Sequence, residues 1–369
     1  MHPALRLPTN VDEMPSPALV IDWPVVEDNL RMMVGRVASP DRLRPHVKTH
    51  KLPQLVEQLV SMGVEKAKCA TIAEAEMAAG AGATDVLLAA PLVGPTIGRM
   101  LALMTAFPQV EFAGLVDDAG AMEAVASAAT AAGVQVRVLL DLDVGQHRTG
   151  IPPERAAELY RAVAARPGLI AGGLHAYDGH LHQSDVAERA EACDAAYAPV
   201  EALVAGLRAE GLPVPAIVAG GTPTFPMHAR RPEVECSPGT CVFWDAGYGR
   251  GLPDLDFQAA AVLLTRVISR PTANRICLDL GHKAVASEMP HPRAFFPALP
   301  DARAVMHNEE HMVIESDQAS EIPVGTPLAA IPWHICPTVA LHSFVHVMRD
   351  GRTVNETWPV TARTRRITC

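Results

Sequence analysis

The chain reads as an α/β protein, a (β/α)8 TIM-like barrel joined to a C-terminal β-rich domain. Two observations predict this. Between about residues 43 and 236, short β-like runs recur between Ala-rich helical stretches, and strands alternating with helices build parallel sheets covered by helices. After about Gly249 the Ala-rich helices give way to alternating apolar runs separated by turns, such as Arg349-Asp350-Gly351-Arg352, a hairpin texture. The length, 369 residues, exceeds one ordinary domain and suits a barrel with a second module. The predicted division is residues 24–248 for the barrel and residues 1–23 with 249–369 for the β-rich domain.

The elements follow in order. Strands are expected at residues 43–48, 67–71, 85–89, 110–116, 136–142, 169–175, 215–219 and 234–236, eight in all, which is the barrel number. A doubly wound sheet is the alternative. Thr71-Ile72-Ala73-Glu74 has capping-box spacing directly after a strand. Residues 117–133, 153–165 and 185–211 carry the good helix formers of an outer layer. Further strands are expected at residues 261–268, 275–280, 311–315 and 338–348, and the strand-like residues 18–21 fit either domain.

Composition narrows the class. The chain is 49% hydrophobic with few aromatics, so its core is mostly Ala, Val, Leu and Ile. The net charge is −10, and the short basic stretch Arg363-Thr364-Arg365-Arg366 is small beside it, which argues against nucleic-acid binding. No apolar run approaches the ~20 residues of a membrane span. Met1-His2-Pro3-Ala4-Leu5-Arg6 lacks the apolar segment of a signal peptide. Seven cysteines, at positions 69, 193, 236, 241, 277, 336 and 369, have no framework spacing. That points to a reducing compartment, hence a cytoplasmic location.

Five motifs carry chemistry. In Arg44-Pro45-His46-Val47-Lys48-Thr49-His50-Lys51, basic groups crowd a strand end, where barrels keep their active sites. A desolvated lysine beside other cations loses proton affinity and becomes a nucleophile toward carbonyls, which makes Lys48 a candidate Schiff-base lysine. The alternative is a solvated or anion-binding loop. Asp141-Leu142-Asp143-Val144-Gly145-Gln146-His147-Arg148-Thr149-Gly150 aims Arg148 from a Gly-flanked loop, either at an anionic oxygen or into solvent. His175-Ala176-Tyr177-Asp178-Gly179-His180-Leu181-His182 is dense in groups suited to acid–base work or metal ligation; an exposed polar loop is the other reading. Gly220-Gly221-Thr222-Pro223-Thr224 and Ser237-Pro238-Gly239-Thr240 follow the last two strands, where barrels commonly hold a phosphate. In Trp333-His334-Ile335-Cys336-Pro337-Thr338, His334 and Cys336 would share one side of an extended strand end. Imidazole with thiolate favours zinc; a buried cysteine and a hydrogen-bonded histidine are the alternative. Asp279-Leu280-Gly281-His282-Lys283 and Glu309-Glu310-His311 read as turn or dimer-contact residues.

In this order the motifs resemble those of the D-threonine aldolase and D-serine dehydratase family. Its members are pyridoxal-phosphate enzymes with an alanine-racemase-like barrel (fold type III) and a β-domain. The resemblance runs from Pro17-Ala18-Leu19-Val20-Ile21-Asp22 to Trp358-Pro359-Val360. It implies that Lys48 holds pyridoxal phosphate, that Arg148 and Tyr177 line the ring, and that Gly220, Gly221, Thr222, Gly239 and Thr240 grip the phosphate. It further implies that His334 and Cys336 hold a divalent metal, with Cys336 favouring zinc over manganese or magnesium. The implied substrate is a D-3-hydroxy amino acid and the implied assembly a homodimer.

Two outcomes share that machinery: retro-aldol cleavage to glycine and an aldehyde, or loss of water and ammonia to give a 2-oxo acid. The Gly-Gly-Thr-Pro-Thr turn and Asp245-Ala246-Gly247-Tyr248-Gly249 look closer to the aldolases, whereas Cys336 matches the dehydratase arrangement. Where the aldolases carry a catalytic histidine past the tyrosine, this chain has Gln183, which leaves His180 and His182 as candidate bases. A pyridoxal-phosphate carrier without catalysis is the alternative of another class. A racemase would want a tyrosine from the β-domain, and the tyrosines stand at 160, 177, 197 and 248.

Overall fold

The computed structural model describes residues 7–365 and residue 368. The N-terminal stretch ahead of Leu7, Arg366 and Cys369, all used above, lie outside the described residues. Two compact units emerge. One comprises residues 34–48 and 53–239 with the C-terminal segment from Thr364; the other comprises the chain up to Met33, Thr49–Leu52 and Thr240–Arg363.

Strand β1 (Ala18–Asp22) belongs to the second unit. The first unit is built on β2 (Lys66–Cys69), β3 (Asp85–Pro91), β4 (Glu111–Val116), β5 (Val136–Leu142), β6 (Leu169–Ala176), β7 (Ile217–Ala219) and β8 (Val234–Cys236). They form one parallel sheet in sequence order. A doubly wound sheet would reverse that order partway, so the alternative topology is excluded. The expected first strand is present in reduced form. Leu43 bridges Cys236 on β8 and His46 bridges Lys68 on β2. The amides of Arg44 and His46 donate to Cys236 and Pro238 (both 2.9 Å), and Lys68 donates to Pro45 (2.9 Å). Pro45 has no N–H to extend the ladder, so this closing segment stays irregular and runs straight into a 3-10 turn, Val47–Thr49.

Local chemistry starts the helices. The Thr71 hydroxyl accepts from the Glu74 amide (3.2 Å), and the Glu74 carboxylate accepts from the amide of Ala70, just before the cap (2.6 Å), in the manner of a capping box. Asp118 caps Ala119–Ala131 and Asp185 caps Val186–Ala209, each through its carboxylate. The helix Pro153–Ala165 begins on Pro153, where a missing N–H is harmless.

Strand alternation layers the barrel interior. The lowest layer is ionic. Arg44 binds Asp85 through two nitrogens (3.0 and 2.7 Å) and Glu235 through Nε (2.7 Å), while Arg137 also pairs with Asp85 and Lys66 with Glu235. The middle layer is apolar: Leu87, Ala113, Leu115, Leu139 and Val218. Two residues further along their strands from Lys66, Gly173 and Leu139 stand Lys68, His175 and Asp141.

In the second unit the sheet order is β12-β13-β10-β9-β1-β15-β16, with β14 on β9 and β11 on β14. The ranges are β9 (Ala261–Thr272), β10 (Arg275–Leu278), β11 (Ala294–Phe295), β12 (Arg303–His307), β13 (Met312–Glu315), β14 (Pro327–Pro332), β15 (Phe344–Met348) and β16 (Glu356–Pro359). The ambiguous residues 18–21 fall here, central and buried. β1 pairs antiparallel with β9 and parallel with β15, and Ala18 and Val20 pack with Val262, Leu264 and Met348.

Two local expectations are corrected. Residues 338–341 are not strand: Ile335–Leu341 is a helix, and the strand begins only at Phe344. The pair His334 and Cys336 is likewise not on a strand end, because β14 stops at Pro332, His334 is the N-cap and Cys336 sits in the first helical turn. Pro337 fits that first turn, where its absent N–H leaves no intrahelical bond unmade.

Candidate active site

In the barrel unit, three cations converge on the Tyr177 ring just past the end of β6. Lys48 Nζ lies 5.7 Å from its centroid, Lys68 Nζ 5.1 Å and the Arg148 guanidinium 5.2 Å. Lys48 is half-buried in the turn after the closing segment. The other charges of its motif are spent elsewhere. Arg44 serves the ionic layer, His46 Nδ1 accepts from the Lys48 amide (3.4 Å), and His50 Nδ1 accepts from the Leu52 amide (3.1 Å). Burial, with Lys51 nearby, pushes His50 down to about 3, so it is neutral.

The Arg148 loop is held from within. Asp143 accepts from the amides of Gly145 (3.0 Å) and His147 (2.9 Å), and Thr149 donates to Asp141 (2.8 Å). Gly150 has φ +100°, and a Cβ there would meet the Asp143 amide at 2.6 Å, so only glycine closes this loop. Asp141 also accepts from His175 Nδ1 (2.7 Å). Burial favours the neutral acid, but the bonds from His175 and Thr149 outweigh it and hold Asp141 below its ordinary value. His175 is lowered, first by burial and then by Lys68, and its Nε2 has no hydrogen-bond partner.

Tyr177 is seated by two glycines. A Cβ on Gly179 would lie 2.3 Å from its hydroxyl oxygen, and one on Gly221 would lie 3.0 Å from its ring. Gly179→Ala should therefore displace the ring. The two expected phosphate turns are tied together: the Gly239 amide donates to Thr222 Oγ1 (3.1 Å). Gly220 has φ +76° and the Gly221 amide donates to Thr224 Oγ1 (3.3 Å). Of the two candidate bases, His180 is half-buried with Nδ1 unpartnered and packs on Gly145, whereas His182 is exposed. Gln183 lends its carbonyl to Arg189.

Behind Tyr177 lies a buried cluster that sequence reading missed. Asp178, Cys193 and His228 bring ligand-type atoms together, with Asp178 to His228 at 2.8 Å and Cys193 to His228 at 3.5 Å. It is a poor metal cage. Thr224 already donates to Asp178 (2.7 Å), Arg231 approaches His228 Nδ1 (3.3 Å), and burial pushes the Cys193 thiol up to about 12. The cluster works as a strut between the Tyr177 loop and the Gly220–Gly221 turn, and its members are too far apart in sequence to announce themselves.

In the second unit, His334 Nδ1 binds Glu288 (2.5 Å), and Cys336 Sγ lies 3.2 Å from Thr49 Oγ1 and 3.7 Å from Thr240 Oγ1. Asp245 is buried and accepts from the amides of Tyr248 (2.9 Å) and Ile335 (3.1 Å). Burial raises it to about 6. Burial would lower His334, but the hydrogen bond and charge of Cys336, then Glu288 and Asp245, push it up to about 9. Its negative neighbours thus favour positive charge at His334. A carboxylate on the far nitrogen is the usual orienting partner of a metal-bound histidine. The donor set fits zinc. Asp245 and Glu288 were not singled out from sequence, since neither adjoins the His-x-Cys pair in the chain.

The fold and this site define a class. Residues 21–246 match the family described as alanine racemase, N-terminal domain, and residues 260–348 match the putative serine dehydratase domain. Over 94% of its length the chain is 33% identical to a D-threonine aldolase of Arthrobacter sp., covering 92% of that protein. It is 30% identical to a 3-hydroxy-D-aspartate aldolase of Paracoccus denitrificans (strain Pd 1222), with 95% and 92% of the two chains covered. It superposes on the crystal structure of D-threonine aldolase from Filomicrobium marinum with a TM-score of 0.89, 31% identity and 99% of each chain covered. The chain belongs to the D-threonine aldolase and D-serine dehydratase family, whose barrel is alanine-racemase-like. That family implies pyridoxal phosphate, and the curated relatives of this chain include both aldolases and a dehydratase, all lyases. Among the described residues, no helix is long and apolar enough to cross a membrane.

Proposed function

We propose that the protein is a lyase dependent on pyridoxal phosphate and a divalent metal, cleaving D-3-hydroxy amino acids of the D-threonine type to glycine and an aldehyde. The observation that carries this reading is the convergence of Lys48 and Arg148 on Tyr177 in the unit that also holds the Gly220–Gly221 turn. When bound, pyridoxal phosphate supplies the electron sink for the pair released at Cα.

Lys48 holds the cofactor's carbonyl carbon through its amine and is the group that takes up and returns protons there. Arg148 and Tyr177 position the ring. The turns at Gly220, Gly221 and Thr222 and at Gly239 and Thr240 receive the phosphate. His334 and Cys336 would hold the metal, which when bound would supply a Lewis acid toward a hydroxyl. Retro-aldol cleavage needs a base for the β-hydroxyl proton. We assign it to His180, whose imidazole is half-buried with a free nitrogen, ahead of the solvated His182.

Cys336 supports a second reading, the dehydratase, in which Lys48 removes the Cα proton and the hydroxyl leaves as water. Product analysis with D-threonine and D-serine, with and without chelator, separates them. Glycine plus acetaldehyde supports the aldolase. Oxobutanoate or pyruvate with ammonia supports the dehydratase. A folded protein that shows no cofactor absorbance with added pyridoxal phosphate fails both. Cys336→Ala is expected to lower bound zinc to well under one per chain by elemental analysis, with turnover falling in parallel and partly restored by excess metal.

The proposed assembly is a homodimer, as the family resemblance implies. Light scattering should give twice the 39.3 kDa chain mass.

A further inference from the structure

Lys68 has no task in the reaction above, yet it is among the largest fully buried side chains. It is on β2, 2% exposed, and its Nζ has no hydrogen-bond partner. Its ammonium is the closest of the three cations to the Tyr177 centroid, at 5.1 Å. The neighbouring carboxylates are committed elsewhere, Asp141 to His175 and Thr149, and Asp178 to His228 and Thr224. Its counterpart Lys66, two residues earlier on the same face, has Glu235. Burying an ammonium without a partner is costly, and here it is done beside two further cations. Burial first, then Lys48, lower this amine to about 7 against the pull of Asp141 and Asp178. It therefore stands near its own titration point and gains a proton as negative charge approaches.

We propose that Lys68 is a further binding residue of this site, its ammonium donating to an anionic oxygen of the molecule held at Lys48. The inference rests on the pyridoxal-phosphate reading given above. Two oxygens have the required chemistry, the cofactor's ring oxygen and the substrate's α-carboxylate, and a compact ammonium with three rotatable donors suits either.

The test uses full-length wild type, Lys68→Met and Lys68→Gln, each stripped of cofactor and titrated with pyridoxal phosphate while the visible band of the lysine-bound cofactor is followed. Steady-state kinetics with D-threonine come next. Cofactor affinity weakened about tenfold or more, the loss expected for one charge-assisted hydrogen bond, or a shifted band, identifies the ring oxygen. Unchanged affinity and band, with KM raised about tenfold and kcat nearly kept, identifies the carboxylate. The cofactor-free Lys68→Met protein is expected to melt at or above wild type, because it no longer buries an uncompensated charge.

Affinity, band and KM all unchanged in a folded variant would overturn the inference. So would a large loss of cofactor-free stability in both variants with binding unaffected, which makes the lysine structural. Wild type that takes up no pyridoxal phosphate instead refutes the functional reading itself.

Discussion

Lys48→Ala is expected to abolish the visible absorption of lysine-bound cofactor and to lower kcat by at least the order of 10²–10⁴ that one positioned acid–base group supplies, since the covalent route is lost as well. Absorbance after adding pyridoxal phosphate tests the first part. Borohydride reduction of the wild type followed by peptide mapping tests the assignment, because label on any other lysine reassigns the role. The size of the effect follows from how the turn is built. The closing segment delivers Lys48 half-buried, 5.7 Å from the Tyr177 centroid, while the other basic groups of the motif are tied to protein partners.

Arg44→Met should have the largest effect on stability, a loss of up to about 3–5 kcal/mol, because it leaves two part-buried carboxylates without their shared cation, each with a single remaining partner. The Arg44 side chain is 3% exposed, against 17% for Asp85 and 14% for Glu235. Denaturant unfolding of the cofactor-free protein measures it. Burial tends to raise Asp85, but Arg44 and then Arg137 outweigh it and hold the carboxyl down to about 2. A depressed carboxyl stabilises the fold fully above its unfolded value near 4 and ceases to as pH falls toward 2. Wild type is therefore expected to lose roughly 2 kcal/mol through this group across that acid window. In Arg44→Met the loss should be smaller and should be complete at higher pH. An acid transition that is identical in the two proteins would contradict this account.

Much of the barrel was legible because its information is local. Short β-like runs bounded by turn residues located β5 and β8 to the residue and the other five strands of the sheet to within one or two, whereas the strand expected at residues 43–48 is reduced to two bridges. The helix after β2 was announced by Thr71 and Glu74, and Pro153 marked the start of another. The failures have physical causes too. Between Pro332 and Leu341 the chain offers too few residues to separate period two from period 3.6, and the β-branched Thr338 and Val339 leaned toward strand. The N-cap position of His334 and the tertiary bond from the Ile335 amide to Asp245 decide for helix. Residues 18–21 were recognisable as strand, but which sheet they joined depended on β9 and β15, more than 200 residues away.

The candidate site divides along the same line. Its motifs were readable because each is a short stretch in which the chain itself brings the side chains together: Lys48 after the closing segment, Arg148 in a Gly-closed loop, Tyr177 past β6, and His334 with Cys336 at the start of a helix. By itself, then, the sequence determined the barrel, the β-rich unit and the family, since strand periodicity, caps and motif spacing are properties of neighbours in the chain. Only the tertiary structure decided which charges are satisfied and which stand free. Arg44 and Lys68 read alike as basic residues at barrel strands. One meets Asp85 and Glu235; the other meets Tyr177 and two cations and finds no hydrogen-bond partner. That difference is set by residues tens to hundreds of positions away, brought within a few ångströms by barrel closure, where low dielectric makes an unpaired charge matter far more than it does in water.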